Sequence, residues 1–297
     1  MDKTQEIMQK VRRIELMARR LTTATLAGQY RASFRGQGLE FDDFREYQPG
    51  DDPRFIDWKV TARTGTPYVR RFHEEREQVL LLAVDASASM RYAGGAANDS
   101  KLEYAACIAA VLAYSAARNG DNVGLLLYGC HPHFYLPPAK GMKQCLRIIR
   151  EIISTETGGA DVSPDDVTSE ILRTQRKRTM CFLISDFMMP PDKQAIGKLN
   201  FRHELIPLRI ADPAENNLPE GVGNVCIQDP ETGAAYRVNM SSAPLRQAYN
   251  KAVRQHKESW NEIFTQLGIS MLDLQTDADF VPALRSIFTQ RSSHFAR

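Results

Sequence analysis

Three oxygen-bearing side chains stand on alternate positions in LLLAVDASASM, residues 80–90: Asp85, Ser87 and Ser89. They follow five apolar residues without a break. One carboxylate and two hydroxyls in a single tight turn are hard donors. They suit Mg²⁺, which takes oxygen ligands in octahedral geometry at about 2.0–2.1 Å and keeps several waters. A second acid at the end of another buried run would complete such a set, and TMCFLISDF (179–187) supplies one in Asp186, directly after Ser185. Asp85, Ser87, Ser89 and Asp186 are therefore the candidate metal ligands. The competing reading is that the serines cap the next helix and Asp85 bonds backbone amides, as such residues commonly do after strands. The Asp-x-Ser-x-Ser spacing taken together with Asp186 favours the metal.

These residues need elements to hold them. QVLLLAVD and TMCFLISDF are continuous apolar runs, as expected of strands covered on both faces. Between and after them, helical and strand patterns alternate. DSKLEYAACIAAVLAYSAARNGD predicts a helix capped at Asp99 or Ser100 that exits at Asn119-Gly120. NVGLLLYG predicts a strand and HPHFYLPP its partner, with KQCLRIIREII an amphipathic helix. SPDDVTSEILRTQRKR opens on Ser163, Pro164 and Asp166, a helix start. HELIPLRI is a third buried strand and VGNVCIQDPETGAAYRVNM a hairpin. A long helix follows, from about Pro244 to Gly268, then a strand in ISMLDLQ and a closing helix after Asp279. Strands alternating with helices mean a doubly wound, mainly parallel α/β sheet of Rossmann type, whose ligand crevice lies at the C-terminal strand ends. Asp85 and Asp186 both fall there.

Residues 5–27 read as a further helix ending at Gly28. Residues 31–70 break into turn-rich sequence around Pro49-Gly50-Asp51-Asp52-Pro53. The division drawn is an N-terminal segment, 1–78, of helix plus loop-rich region, and an α/β domain, 79–297.

DASASM resembles the metal-ion-dependent adhesion motif of von Willebrand factor A domains, and the order strand, DASASM, helix, NVGLLLYG, helix, LISDF is similar to that fold over residues 79–290. RGQGLEF, REYQPGDDPRFIDWK and the closing DFVPAL resemble the bacterial DUF58 family, which joins such a segment to an A-type domain. The resemblance implies a partner, a MoxR-type AAA+ ATPase, and a shared role in assembling or maturing a client protein complex. It also implies adhesion without turnover, in which a metal on Asp85, Ser87, Ser89 and Asp186 keeps one coordination position for a partner's carboxylate. A-type domains usually add a threonine from a Gly-Gly-Thr-like loop. Here TETGGADVSPDD has Ala160 in that place, with Thr157, Asp161 and Ser163 as open alternatives.

Other readings are weaker. A Mg²⁺-dependent phosphoester hydrolase would use the same two acids, but the sequence shows no nucleophile with a base, no Gly-x-Ser-x-Gly elbow and no phosphate-cradling P-loop. A metal-free scaffold is the third reading. His131 and His133 flank a proline without a further ligand nearby in sequence. Gly50, Asp51, Asp52, Arg54, Asp57, Trp58 and Lys59 form a polar and aromatic cluster. It reads equally as a docking surface or as an irregular loop locked by charge pairs with Trp58 as anchor, and Asp57 and Arg63 are the residues to mutate. A net charge of +2 gives no case for nucleic acid, and the basic stripe Lys10, Arg12, Arg13, Arg19 and Arg20 reads as a solvated helix face. The charged N-terminus lacks a signal-peptide core, and CIAAVLAYSAA is too short for a membrane span of about 20 residues. Five scattered cysteines without a Cys-x-x-Cys pair read as reduced thiols. The location expected is cytoplasmic.

Overall fold

A computed structural model of the chain describes residues 3–23, 30, 39–74, 78–94, 99–130, 132–156, 163–216, 223–229 and 232–294. The order begins with helix α1 (Lys3–Leu21), strand β1 (Leu39–Glu46), short helix α2 (Trp58–Thr64) and strand β2 (Tyr68–Glu74). It continues with β3 (Val79–Asp85), α3 (Lys101–Arg118), β4 (Asn122–Tyr128), β5 (Phe134–Ala139), α4 (Met142–Ser154) and α5 (Pro164–Thr174). Then come β6 (Met180–Ser185), α6 (Lys193–Arg202), β7 (Glu204–Ala211), α7 (Pro213–Asn216), β8 (Asn224–Gln228) and β9 (Ala235–Asn239). Helix α8 (Ala243–Gln266), β10 (Leu272–Gln275) and α9 (Val281–His294) close the chain.

Six strands form one sheet in the order β10-β7-β6-β3-β4-β5. All neighbours are parallel except β5, which runs antiparallel to β4 at the edge. The expected doubly wound α/β class is the observed one. Its central strands are apolar because both faces are covered. On β3, Leu80, Leu82 and Val84 join one core, with Ile14, Ile108, Leu112, Ile149 and Phe288 from α1, α3, α4 and α9. The alternate Leu81 and Ala83 join the other, with Ile171, Leu199, Trp260 and Phe264 from α5, α6 and α8. The strand period of two sorts successive side chains onto opposite helix layers.

Of the two cap candidates Asp99 and Ser100 the structure uses Ser100, and the cap expected at Ser163 is present. Ser100 forms a full capping box with Glu103, and the Ser163 hydroxyl accepts from the Asp166 amide. The basic stripe of α1 meets its own chain in part: Lys10 pairs with Glu103 at 2.6 Å and Arg13 with Asp99 at 2.7 Å. The hydrogen bond it donates to Glu103 holds the Lys10 ammonium above its ordinary pKa. Ile14 and Ala18, on the adjoining stripe of the helix, are buried in the first core. Four cysteines are buried thiols, and Cys226 on β8 is exposed.

Two things differ from the sequence reading. Residues 31–70 contain the strand β1, antiparallel to β2 across a hairpin with a bulge between Phe41 and Asp43. LEFDDFRE carries charges on both alternations, so its pairing rests on backbone hydrogen bonds that no hydrophobic pattern announces. Helix α6 also went unread. Asp192 caps it through the amides of Gln194 and Ala195, but Gly197 and scattered lysines blur its apolar face.

Candidate functional site at the strand ends

The sheet order reverses between β3 and β6: the chain winds outward from β3 through β4 to β5, then returns to β6 and runs out to β10. At such a switch point the loops leaving the two central strands diverge and open a crevice. Asp85 ends β3, and Asp186 follows β6.

The turn after β3 is built tightly. The Ala86 amide extends the ladder to the Tyr128 carbonyl at 2.7 Å, and the Ser87 amide donates to Asp85 Oδ1 at 2.9 Å. Gly129 makes room for this turn. Its φ is +76°, and a Cβ there would stand 2.7 Å from the Ser87 nitrogen and 2.8 Å from Asp85 Oδ1. Ser87 precedes a one-turn helix (Ala88–Arg91) but makes no side-chain cap bond to it. The hydroxyls of Ser87 and Ser89 instead lie 3.1 Å apart, and Ser89 Oγ donates to Asp186 Oδ2 at 2.7 Å. Capping therefore describes Ser100 and not these two serines, while Asp85 does bond a backbone amide.

Asp186 is set by a strained turn. Phe187 holds φ at +55°, a conformation rare for a bulky residue. The carbonyl of Phe187 accepts from Trp260 Nε1 at 3.0 Å and from His256 Nε2 at 2.7 Å, and its ring packs edge-on against Trp260. Helix α8 thereby over-determines the strained residue. The Met188 amide donates to Asp186 Oδ1 at 3.2 Å. The structure thus brings Asp85, Ser87, Ser89 and Asp186 together through Ser89 and through a second link, Ser185 Oγ, which donates to Asp85 Oδ2 at 2.6 Å.

The sequence reading missed the rest of this constellation. Lys101, the first residue of α3, is completely buried, and its ammonium donates to Asp186 Oδ2 at 2.7 Å and to Glu215 Oε1 at 2.5 Å. The Tyr92 ring lies 5.9 Å from it. Glu215 in α7 is fixed in turn: its Oε2 accepts from the Asp212 amide, and its carbonyl from the Tyr249 hydroxyl. The Tyr128 side chain is buried beside this cluster, next to Ser185 and Asp85. A single lysine in NDSKLEYA gives no hint of burial, because lysine is rarely fully buried unless paired, and its partners lie 85 and 114 residues away.

Asp186 and Glu215 share the Lys101 ammonium, and Asp85 joins them through the Ser185 hydroxyl. Burial, and next the charge of Asp186, raise the Asp85 carboxyl to about 7, although bonds from Ser185 and Ser87 work against the shift. Burial pulls Lys101 down, but Asp186 and Glu215 outweigh it and hold the ammonium above its ordinary pKa. A buried carboxyl raised by its neighbour marks a place where negative charge is under-compensated. The donor set, two carboxylates and two hydroxyls, fits a hard divalent cation.

Other candidates fall apart from this cluster. Ser163 Oγ is engaged with Asp166, while Thr157, Ala160, Asp161 and His131 lie outside the described residues. Among the described residues, no group of three or more His, Cys, Asp or Glu stands together as a metal site, and no helix is long and apolar enough to cross a membrane. The cluster in the N-terminal segment lies in and beside the β1–β2 connection. Asp52 caps the turn Pro53–Phe55 and grips Arg54, Asp51 grips Arg45, and the buried Asp57 caps α2 through the amides of Lys59 and Val60. Trp58 is 69% exposed, so it does not anchor this segment.

Comparison with known proteins agrees on a family. The uncharacterized protein Rv1480 of Mycobacterium tuberculosis is 31% identical over 274 residues, 91% of this chain and 85% of that protein. The uncharacterized protein YeaD of Bacillus subtilis is 26% identical over 39% of this chain and 27% of its own length. Among solved structures, the conserved hypothetical protein BatB of Bacteroides thetaiotaomicron shares 15% identity over 73% of this chain and 99% of that chain, with a TM-score of 0.44. The SpRpn10 VWA domain shares 9% over 72% and 95%, with a TM-score of 0.38. The model of the family described as protein of unknown function DUF58 matches residues 43–259, and with the mycobacterial relative at its side the chain belongs to that family.

Proposed function

We propose that this protein is a non-enzymatic adaptor that binds a protein partner at the strand-end site through Mg²⁺, working with a MoxR-type AAA+ ATPase on a client complex. The observation that carries the reading is the meeting of Asp85, Ser87, Ser89 and Asp186 at the switch point through the hydroxyls of Ser89 and Ser185. Asp85, Ser87, Ser89 and Asp186 would hold the cation, which when bound supplies a Lewis-acidic position for a partner's carboxylate. Met188 and Tyr92, both partly exposed beside the site, supply an apolar rim against which a partner could exclude water. Against turnover, Ser87 and Ser89 bond each other and the Ser89 hydroxyl donates to Asp186, whose charge the Lys101 ammonium already matches.

The test is binding of a purified MoxR-type ATPase to the immobilised full chain, with Mg²⁺ and with EDTA. Binding that needs Mg²⁺ and is lost in Asp85→Ala supports the adaptor. Binding indifferent to both points to a metal-free scaffold docked elsewhere. Hydrolysis of a generic phosphoester that Asp85→Ala abolishes would replace the adaptor with an enzyme.

A further inference from the structure

The residue that stands out against this reading is Lys101. A carboxylate oxygen offers about two lone pairs to donors. Asp186 Oδ2 already accepts from Ser89 Oγ at 2.7 Å and from Lys101 Nζ at 2.7 Å, so both are engaged. The other carboxylate oxygens of the two acids answer to uncharged donors: Asp85 Oδ1 accepts from the Ser87 amide, Asp85 Oδ2 from Ser185 and Asp186 Oδ1 from the Met188 amide. The crowded oxygen is the one where the chain's own cation sits.

The ammonium has a second fixed acceptor. Glu215 Oε1 lies 2.5 Å away, and Glu215 is held by the Asp212 amide and by Tyr249 of α8. The third direction of the ammonium faces Tyr92, whose ring attracts cations. Lys101 can therefore leave Asp186 without losing every partner.

We propose that Lys101 sets the cation affinity of the site: its ammonium neutralises Asp186 when no divalent cation is bound and passes to Glu215 when one binds. This rests on the reading that Asp85 and Asp186 hold such a cation. The physical reason is charge and space. A divalent cation and an ammonium repel one another at this range, and both compete for Asp186 Oδ2. The intramolecular cation keeps the site from being an open acidic hole and raises the concentration at which a metal enters. Glu215 is the receiving group, and it links occupancy of the site to α7 and α8.

The experiment is calorimetric titration of the full chain with MnCl₂ and MgCl₂, on wild type, Lys101→Met and Glu215→Gln, with thermal melts in EDTA and in Mg²⁺. Lys101→Met is expected to bind at least tenfold more tightly than wild type, and to lose melting temperature in EDTA but regain it in Mg²⁺. Glu215→Gln leaves Asp186 as the only carboxylate bonded to the lysine among the described residues, so the affinity of the site for the cation is expected to fall several-fold. This second variant keeps the test sound if Lys101→Met does not fold. Equal or weaker binding by Lys101→Met, or an unchanged affinity in Glu215→Gln, overturns the role of Lys101 while the cation reading stands. If no protein binds either ion, the cation reading fails and the proposal falls with it. Binding by Lys101→Met alone would overturn the proposal, because the lysine would then hold Asp186 permanently in the native chain instead of yielding it to a cation.

Discussion

Two regions of this molecule are built from the same residue types and use them in opposite ways. At the strand ends, Asp85, Asp186 and Lys101 are buried to within a few per cent, and each carboxylate accepts from at least one donor in a distant part of the chain. In the β1–β2 connection, Arg45 pairs with Asp51 and Arg54 with Asp52 six and two residues apart, mostly in solvent. Buried charges are strongly coupled, because desolvation makes an unmatched charge costly. Exposed pairs are screened and contribute little to stability. The lesson is that similar motifs of acid and base define a fold constraint in one place and a surface in the other. Asp57 is the exception inside the second region: it is buried, and it works as a helix cap.

Four substitutions and titrations sharpen or break this contrast. The largest effect is expected from Asp186→Ala, which takes from the buried Lys101 ammonium one of its two carboxylates and removes the acceptor of the Ser89 hydroxyl. Loss of one partner of a buried pair costs about 3–5 kcal/mol, readable as the denaturant midpoint in EDTA; a loss near zero would mean that the buried network is not the constraint described. Gly129→Ala comes next. A Cβ there collides with the Ser87 amide and Asp85 Oδ1 in a left-handed backbone, and the expected loss is about 1–3 kcal/mol by the same assay. Asp57→Ala removes the cap of α2 at a cost of about 1 kcal/mol, and Asp57→Asn or Asp57→Ser should restore most of it. That rescue would separate capping from docking at this position.

The smallest effect concerns pH. Side-chain bonds from Arg45 and Arg54 hold the carboxyls of Asp51 and Asp52 below the ordinary value of 3.8. A lowered folded-state pKa contributes stability that is present above the unfolded value and is lost as pH falls through the folded one. The loss is therefore expected below pH 3.8, and it should shrink in molar salt because these groups are exposed. Carboxyl NMR titration at low and high salt checks it. A salt-independent shift would mean that this region resembles the strand-end cluster after all.

How much was legible in the sequence follows from the range of the interactions concerned. The apolar runs of β3 and β6 end in acids, and both the strands and the acids are local features, so Asp85, Ser87, Ser89 and Asp186 could be read together with the sheet class. Ser100 and Ser163 were legible as caps because a cap acts within three residues. Thr157, Ala160 and Asp161, where a further ligand was sought, lie outside the described residues, and Ser163 is engaged by its own helix. Lys101, Ser185, Tyr128 and Glu215 had no local signal. A lysine at the start of a helix looks like solvent-facing charge until the chain folds Asp186 and Glu215 around it.

The sequence alone determined the alternation of elements, the two apolar strand runs and the oxygen-rich turn that follows the first of them, since each depends on neighbours within a few residues. The tertiary structure alone decided the order of strands in the sheet, the reversal that sets Asp186 beside Ser89, the exposure of Trp58 and the burial of Lys101. The physical reason is that periodicity and capping are short-range preferences. Desolvation and the matching of buried charges depend on residues a hundred positions apart.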